Sequence, residues 1–155
     1  MNKPDYFVHY PKAGAALIGA CRSWKGTPFR KDSCVKGIFG GVDCKEYVAA
    51  VFQEIGAIPS RPVVPSYDIN HAEHSDDSVL KAWFDSPEVR LRVRPLDEEE
   101  MPLIGDMVFP EVCRAEHHLA LWLVQEIAHV ARPSGVTFHT ISQLRLHHLR
   151  YRLTV

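Results

Sequence analysis

Apolar positions recur at spacings of four and three through Ala13, Leu17, Cys21 and Trp24, the period of one face of a helix. Gly26 and Pro28 act as stop signals, so the pattern predicts a helix over 12–24. A loop is expected over 27–42, where Gly37, Gly40 and Gly41 fall. The next helix has the stronger signature. Tyr47, Val48, Val51, Phe52 and Ile55 form one apolar stripe, whereas Lys45, Glu46, Gln53 and Glu54 are polar. Asp43 stands at its start as an N-cap, Glu46 three residues on comes close to a capping box, and Gly56 ends it. The proline-punctuated run 59–65 reads as a rigid surface connection. The polar stretch Ser75, Asp76, Asp77, Ser78 is suited to cap a short helix through Phe84.

Beyond Phe84 the period changes. Val89, Leu91 and Val93 alternate with Arg90, Arg92 and Arg94, which predicts a half-exposed strand, and the acidic run 97–100 reads as a solvated turn. Strand-like runs follow over 106–109, 118–124, 126–131 and 136–141, and Leu149, Tyr151 and Leu153 alternate with Arg150 and Arg152 in a last strand. The arginines, Arg145 included, read as solvated sheet edges that discourage edge-to-edge pairing. Helices first and an antiparallel meander after them predict an α+β fold, with N-terminal helices packed on a C-terminal antiparallel sheet.

Length and composition limit what such a fold does. A chain of 155 residues buries roughly 70% of its surface on folding, so a single domain over 1–155 needs no disulfide staples. Its 46% hydrophobic and 24% charged residues exclude a disordered or coiled-coil chain. Eighteen Lys and Arg against nineteen Asp and Glu leave a net charge of -1. That is no footprint for nucleic acid, which is not expected among the partners. Near the N-terminus the longest apolar run, 15–18, is too short for a signal peptide or an anchor. The expectation is a protein with no membrane association, cytoplasmic as encoded or delivered by a non-classical, phage or secretion-system route. Cys21, Cys34, Cys44 and Cys113 sit ten or more residues apart with no C-x-x-C pair. They read as reduced thiols, not as a zinc ribbon or a thioredoxin-type site.

One of these thiols stands where a helix starts. The first turn of a helix carries unpaired N–H groups and the positive end of the macrodipole, and both favour a thiolate at Cys44. A cysteine nucleophile also needs a base and a group that orients the base. In the run from His118, alternation places His118, Ala120 and Trp122 on one face and Leu119, Leu121 and Leu123 on the other. With the leucines on the apolar side, His118 is expected to project towards the layer holding the Cys44 helix. His117 falls on the leucine face or just outside the strand. His129, on the adjacent strand of a hairpin turning near Gln125, is placed to orient an imidazole. Free cysteines are mostly core residues, so position alone leaves a buried structural thiol standing beside the nucleophile.

Four motifs occur in order: W-K-G-T-P-F from Trp24 to Phe29, G-V-D-C-K-E-Y-V from Gly41 to Val48, G-D-M-V-F from Gly105 to Phe109, and H-L-A-L-W from His118 to Trp122, with His129 after them. The combination resembles the NlpC family of papain-like cell-wall cysteine peptidases over roughly residues 12–140. The resemblance implies a papain-like fold with Cys44 as nucleophile, His118 as base and His129 as orienting residue, with no cofactor and no metal. It puts Asp43 beside the substrate amine and places Phe29 and Trp24 on the substrate side, while Trp24 and Trp122 read by themselves as core or cleft wall. Gly105 and Asp106 are structural in this scheme. The implied substrate is a peptidoglycan-derived stem peptide, cleaved at an amide bond. Phe29 departs from the tyrosine common at its position. Lys45 and Glu46 replace a small Ser-Gly pair and are expected at the mouth of the site, and 57–104 has no counterpart.

Three other readings carry features of their own. Cys113, His117, His118 and His129, or His147 with His148, offer metal-ligating atoms, but adjacent strand residues point to opposite faces and no firm zinc spacing occurs. His9, His71, His74 and His139 have no assigned partner and read as surface or structural. An amidase or acyltransferase using the same Cys-His pair is the alternative within enzymes, and a non-catalytic phage-tail or secretion-apparatus protein on the same fold is the alternative outside them.

Overall fold

The computed structural model describes residues 2–68, 76–112 and 117–155. Ser75, His71, His74 and Cys113, each given a reading above, lie outside the described residues. A short α1 (Tyr6–His9) and α2 (Ala13–Ser23) come first, and α2 ends where Trp24 and the positive φ of Gly26 turn the chain. A two-stranded hairpin, β1 (Cys34–Val35) and β2 (Gly41–Val42), occupies the segment expected to be only loop, and neither it nor α1 carries a readable period. Helix α3 (Cys44–Glu54) begins as anticipated: Asp43 is extended, and its side chain accepts from the Glu46 N–H.

In α4 (Val79–Phe84), Ser78 is the cap and accepts from the Lys81 N–H. The strand expected at 89–94 is corrected. Ser86 and Pro87 open one more helical turn, α5 (Pro87–Arg90), and only β3 (Val93–Pro95) is extended. Proline at the first helical position has its φ already set and no N–H to lose, so it decides against the arginine alternation. The other strands are β4 (Met107–Pro110), β5 (Ala120–Trp122), β6 (Glu126–Ala131), β7 (Gly135–Thr140) and β8 (Leu146–Leu153). They form one six-stranded antiparallel sheet with β3 in the order β3-β8-β4-β5-β6-β7.

The helices cover one face of this sheet. Leu17, Cys21, Tyr47, Val48 and Val51 share a core with Leu119, Leu121, Ala128, Val130 and Tyr151. Val108, Ala120 and Ile127 form a smaller cluster on the other face with Trp122, Leu144 and Leu146. The leucines of β5 therefore face α3, opposite to the expectation that His118 and Ala120 would. Burial of large side chains outweighs any preference for a single histidine, so the apolar face goes to the helices. Arg152 corrects the solvated-edge reading of the arginines. It is buried, and it donates to Asp106 through Nε at 2.7 Å and Nη2 at 2.9 Å, and to Asp5 at 3.0 Å. Glu100 likewise leaves the expected solvated turn to pair with Arg94 at 2.8 Å.

Two glycines hold the ends of the sheet where no side chain fits. Gly105 has φ +84, and a Cβ there would stand 2.2 Å from the Phe7 ring; Gly135 has φ +75, and its Cβ would meet the Thr27 carbonyl at 2.2 Å. The Val136 N–H donates to that same carbonyl at 2.9 Å and ties β7 to the segment leading into β1. Among the described residues, no helix is long and apolar enough to cross a membrane.

Candidate active site

The first residue of α3 opens onto a cleft of about 290 Å³ whose lining includes Phe29, Asp43, Cys44, Tyr67, His118 and His129. The N-terminus of α3, the segment just before β5 and the middle of β6 supply Cys44, His118 and His129, while Phe29 and Tyr67 come from the loops that follow α2 and α3. His118 reaches the cleft because it precedes β5, which begins at Ala120, and is released from the strand alternation. Its Nε2 lies 2.7 Å from His129 Nδ1, and the ring planes cross at 84°. His117 does not make this contact. It is buried, and its carbonyl accepts from Tyr67 Oη at 2.6 Å. His118 is therefore the imidazole that meets His129.

The thiol is held separately. Cys44 Sγ is 3.7 Å from Tyr67 Oη and 4.0 Å from the His117 carbonyl oxygen. Among the described residues, no hydrogen bond joins it to His118 or His129. Burial pushes the thiol up, the Asp43 charge adds to this, and the Leu119 backbone amide and Tyr67 Oη act in the opposite direction. This corrects the expectation of a resting thiolate: desolvation of the anion outweighs the favourable field of one helix end. Burial lowers His118 to about 3, assisted by repulsion from His129, and lowers His129 to about 4, assisted by His139. Burial thus favours the neutral forms of the thiol and of both imidazoles that line the cleft. Among the described residues, no acceptor takes the Cys44 N–H at the open end of the helix.

Asp43 is fully engaged. Its Oδ1 accepts from the Glu46 N–H at 3.0 Å, and its Oδ2 accepts from the Asp32 N–H at 2.6 Å and from Lys45 Nζ at 2.7 Å. Lys45 is only 4% exposed and also donates to Asp32 Oδ1 at 2.7 Å, so it forms a buried floor instead of standing at the mouth of the site. Ser66 donates to Asp32 Oδ2 at 2.6 Å and fastens the incoming loop to the same network. Glu46 turns away to Arg61 at 2.7 Å. Phe29 lines the cleft with the Arg132 guanidinium 5.4 Å from its ring centre.

Trp24 is not brought to the cleft. It is buried between α2 and α3, edge-on to Tyr47, with Nε1 donating to Glu54 at 2.7 Å. Aromatic bulk wins a place in the helix interface, which agrees with the core reading of Trp24 and corrects its placement on the substrate side. Tyr67, Lys31, Asp32 and Arg132 are among the cleft residues that sequence reasoning missed, and Lys45 was named but misplaced. Tyr67 lies in a segment with no repeating pattern. For Lys45, an available signal was its position two residues after Asp43 in an otherwise buried first turn. Among the described residues, no group of three or more His, Cys, Asp or Glu is arranged to hold a metal ion.

Comparison with models of known protein families gives no match, and no curated protein sequence matches the chain.

Proposed function

We propose that the chain is a papain-like cysteine hydrolase of the NlpC type, acting on amide bonds of peptidoglycan stem peptides through Cys44, His118 and His129. The observation that supports this most is the His118–His129 contact of 2.7 Å on the wall of the cleft that Cys44 also lines. With Nε2 committed to His129, Nδ1 is the ring nitrogen of His118 left for a reaction partner. In this reading the thiol leaves Tyr67 and passes its proton to His118 Nδ1 as sulfur attacks the amide carbonyl. The Cys44 N–H receives the developing oxyanion. The imidazolium then protonates the leaving amine, and the thioester remains on Cys44. Water attacks the thioester, His118 takes its proton, and the proton returns to the thiol as the acid is released. Asp43, held by Lys45, serves in this scheme to fix the start of α3.

One observation favours the non-catalytic reading on the same fold: the resting thiol is bonded to neither ring. Digestion of defined muropeptides, read by mass spectrometry, separates the two. Cleavage of a stem-peptide amide is expected, lost in Cys44→Ala and retained in Cys21→Ala, Cys34→Ala and Cys113→Ala. Equal loss in all four variants, or no cleavage of any stem peptide by the native chain, would overturn the assignment.

A further inference from the structure

The imidazole contacts do not end at His129. Its Nε2 lies 2.7 Å from Nδ1 of His139, on the edge strand β7. His139 is not among the residues that line the cleft, and it is half-buried, so the chain of three rings runs from the cleft wall to the rim of the sheet. We propose that His139 is a positioning residue that, through His129, sets which nitrogen of His118 carries the proton, and so decides whether His118 can act as a base. The proposal rests on the reading of His118 as the base.

The argument is one of counting protons. A neutral imidazole has one N–H and one lone pair, and each ring–ring contact needs one of each. His118 can accept a proton at Nδ1 only if its own N–H is on Nε2. It then donates to His129 Nδ1, which places the His129 proton on Nε2. That N–H in turn donates to His139 Nδ1, so His139 must offer a lone pair there. The three rings share one direction, all with the proton on Nε2. A protonated His139 breaks this order, because both its nitrogens are then donors. It must donate to His129 Nε2, His129 must donate from Nδ1 to His118 Nε2, and His118 is left with its proton on Nδ1, where the lone pair was needed. One proton at the rim thereby switches off a base two rings away.

The surroundings suit this role. The two inner rings resist protonation, since burial lowers both of them. Across the β6–β7 ladder His139 stands opposite Ile127, so the titratable group facing it from β6 is His129. Glu126, opposite Thr140 on that ladder, is turned to Arg22 at 2.6 Å, and Arg22 covers Phe138 on the other face of β7.

The test is a spectroscopic one that needs no substrate, so its failure and the failure of the hydrolase reading are distinguishable. The full chain, labelled with ¹⁵N in its histidine rings, is followed by two-bond proton–nitrogen correlation from acid to mildly alkaline pH, alongside His139→Gln and His139→Phe. In the native chain, His118 and His129 are expected to carry their protons on Nε2 at the alkaline end and on Nδ1 at the acid end, with one shared midpoint. His139→Gln offers a carbonyl oxygen that accepts but takes up no proton, so it should keep both rings on Nε2 throughout and abolish that transition. His139→Phe removes the acceptor, and His118 should lose its preference for Nε2, with the alkylation rate of Cys44 falling about tenfold, the scale of one charge-assisted hydrogen bond. A His118 tautomer that ignores pH in the native chain, or a transition that survives unchanged in His139→Gln, would overturn the proposal.

Discussion

Replacing Lys45 by Met removes the cation bonded to Asp32 and Asp43, with Glu46 4.0 Å away, and leaves these carboxylates in place. The Asp43 side chain is 7% exposed and Lys45 4%, whereas Asp32 is 43% exposed. Only the Asp43 arm therefore counts as a buried pair, for which removing one partner costs ~3–5 kcal/mol. Asp43 retains two backbone donors, the Asp32 and Glu46 N–H groups. These keep its charge partly solvated and put the expected cost near ~3 kcal/mol, with at most ~1 kcal/mol more from the exposed Asp32 arm. In urea, at an unchanged m-value, the midpoint should fall by ~1–2 M. A double-mutant cycle with Asp43→Asn should show a coupling of ~2 kcal/mol. The difference between the native chain and Lys45→Met also has a defined pH profile. Hydrogen bonds from Lys45 and Ser66 hold Asp32 below the usual carboxylate range. Its contribution is thus full above its unfolded value of about 3.9 and disappears as pH falls through the folded value. Burial works against the Lys45 charge, but its bonds to Asp32 and Asp43 raise it. Its contribution is complete below about 10.4 and is lost as pH rises through the folded value. The gap should therefore be flat from mildly acidic to mildly alkaline pH and narrow at both ends. A loss below ~1 kcal/mol, or strict additivity with Asp43→Asn, would refute the reasoning.

Arg152→Met should be among the most damaging single changes, costing ~3–5 kcal/mol in urea unfolding, because it strands the fully buried Asp106; Arg152→Met with Asp106→Leu should recover most of that loss. Burial pushes Cys21 up to about 12, so in native buffer near pH 8 its thiolate fraction is ~10⁻⁴, and peptide mapping after iodoacetamide should find it unmodified until the chain unfolds. Arg94 holds Glu100 down to about 2 and also lowers Asp5. The stability these groups supply is present above their unfolded values and lost as pH falls towards 2, so Arg94→Ala should flatten the acid limb of the unfolding curve.

The elements legible in the sequence were those with a local cause. Asp43 and Ser78 cap the helices they precede, and the leucine alternation marks β5. The α5 turn was hidden because Pro87 speaks through one dihedral while three arginines mimic a strand period. The helix face of the sheet was misjudged because alternation tells two faces apart but says nothing about which one a distant helix will cover. At the site, Cys44, His118 and His129 were named by the resemblance, and the cleft lining includes all three, but the alternation that turned His118 towards α3 did not hold. Tyr67, Asp32 and His139 were not legible. Each acquires its role through a partner 10 or more residues away, and no local pattern encodes such a meeting. Lys45 shows the converse: a charge beside the nucleophile reads as solvent-facing until Asp32 and Asp43 are seen to enclose it.

The central claim is that Cys44 and His118 act as one catalytic unit although the resting thiol is bonded elsewhere. Steady-state hydrolysis of a defined stem peptide by Cys44→Ala, His118→Ala and the double variant tests it most directly. Residues that act as a unit lose their effect together, so each single change should lower kcat/KM by at least ~10³ and the double variant should fall no further. Independent, multiplicative losses, or a single variant within about tenfold of the native rate, would contradict the account.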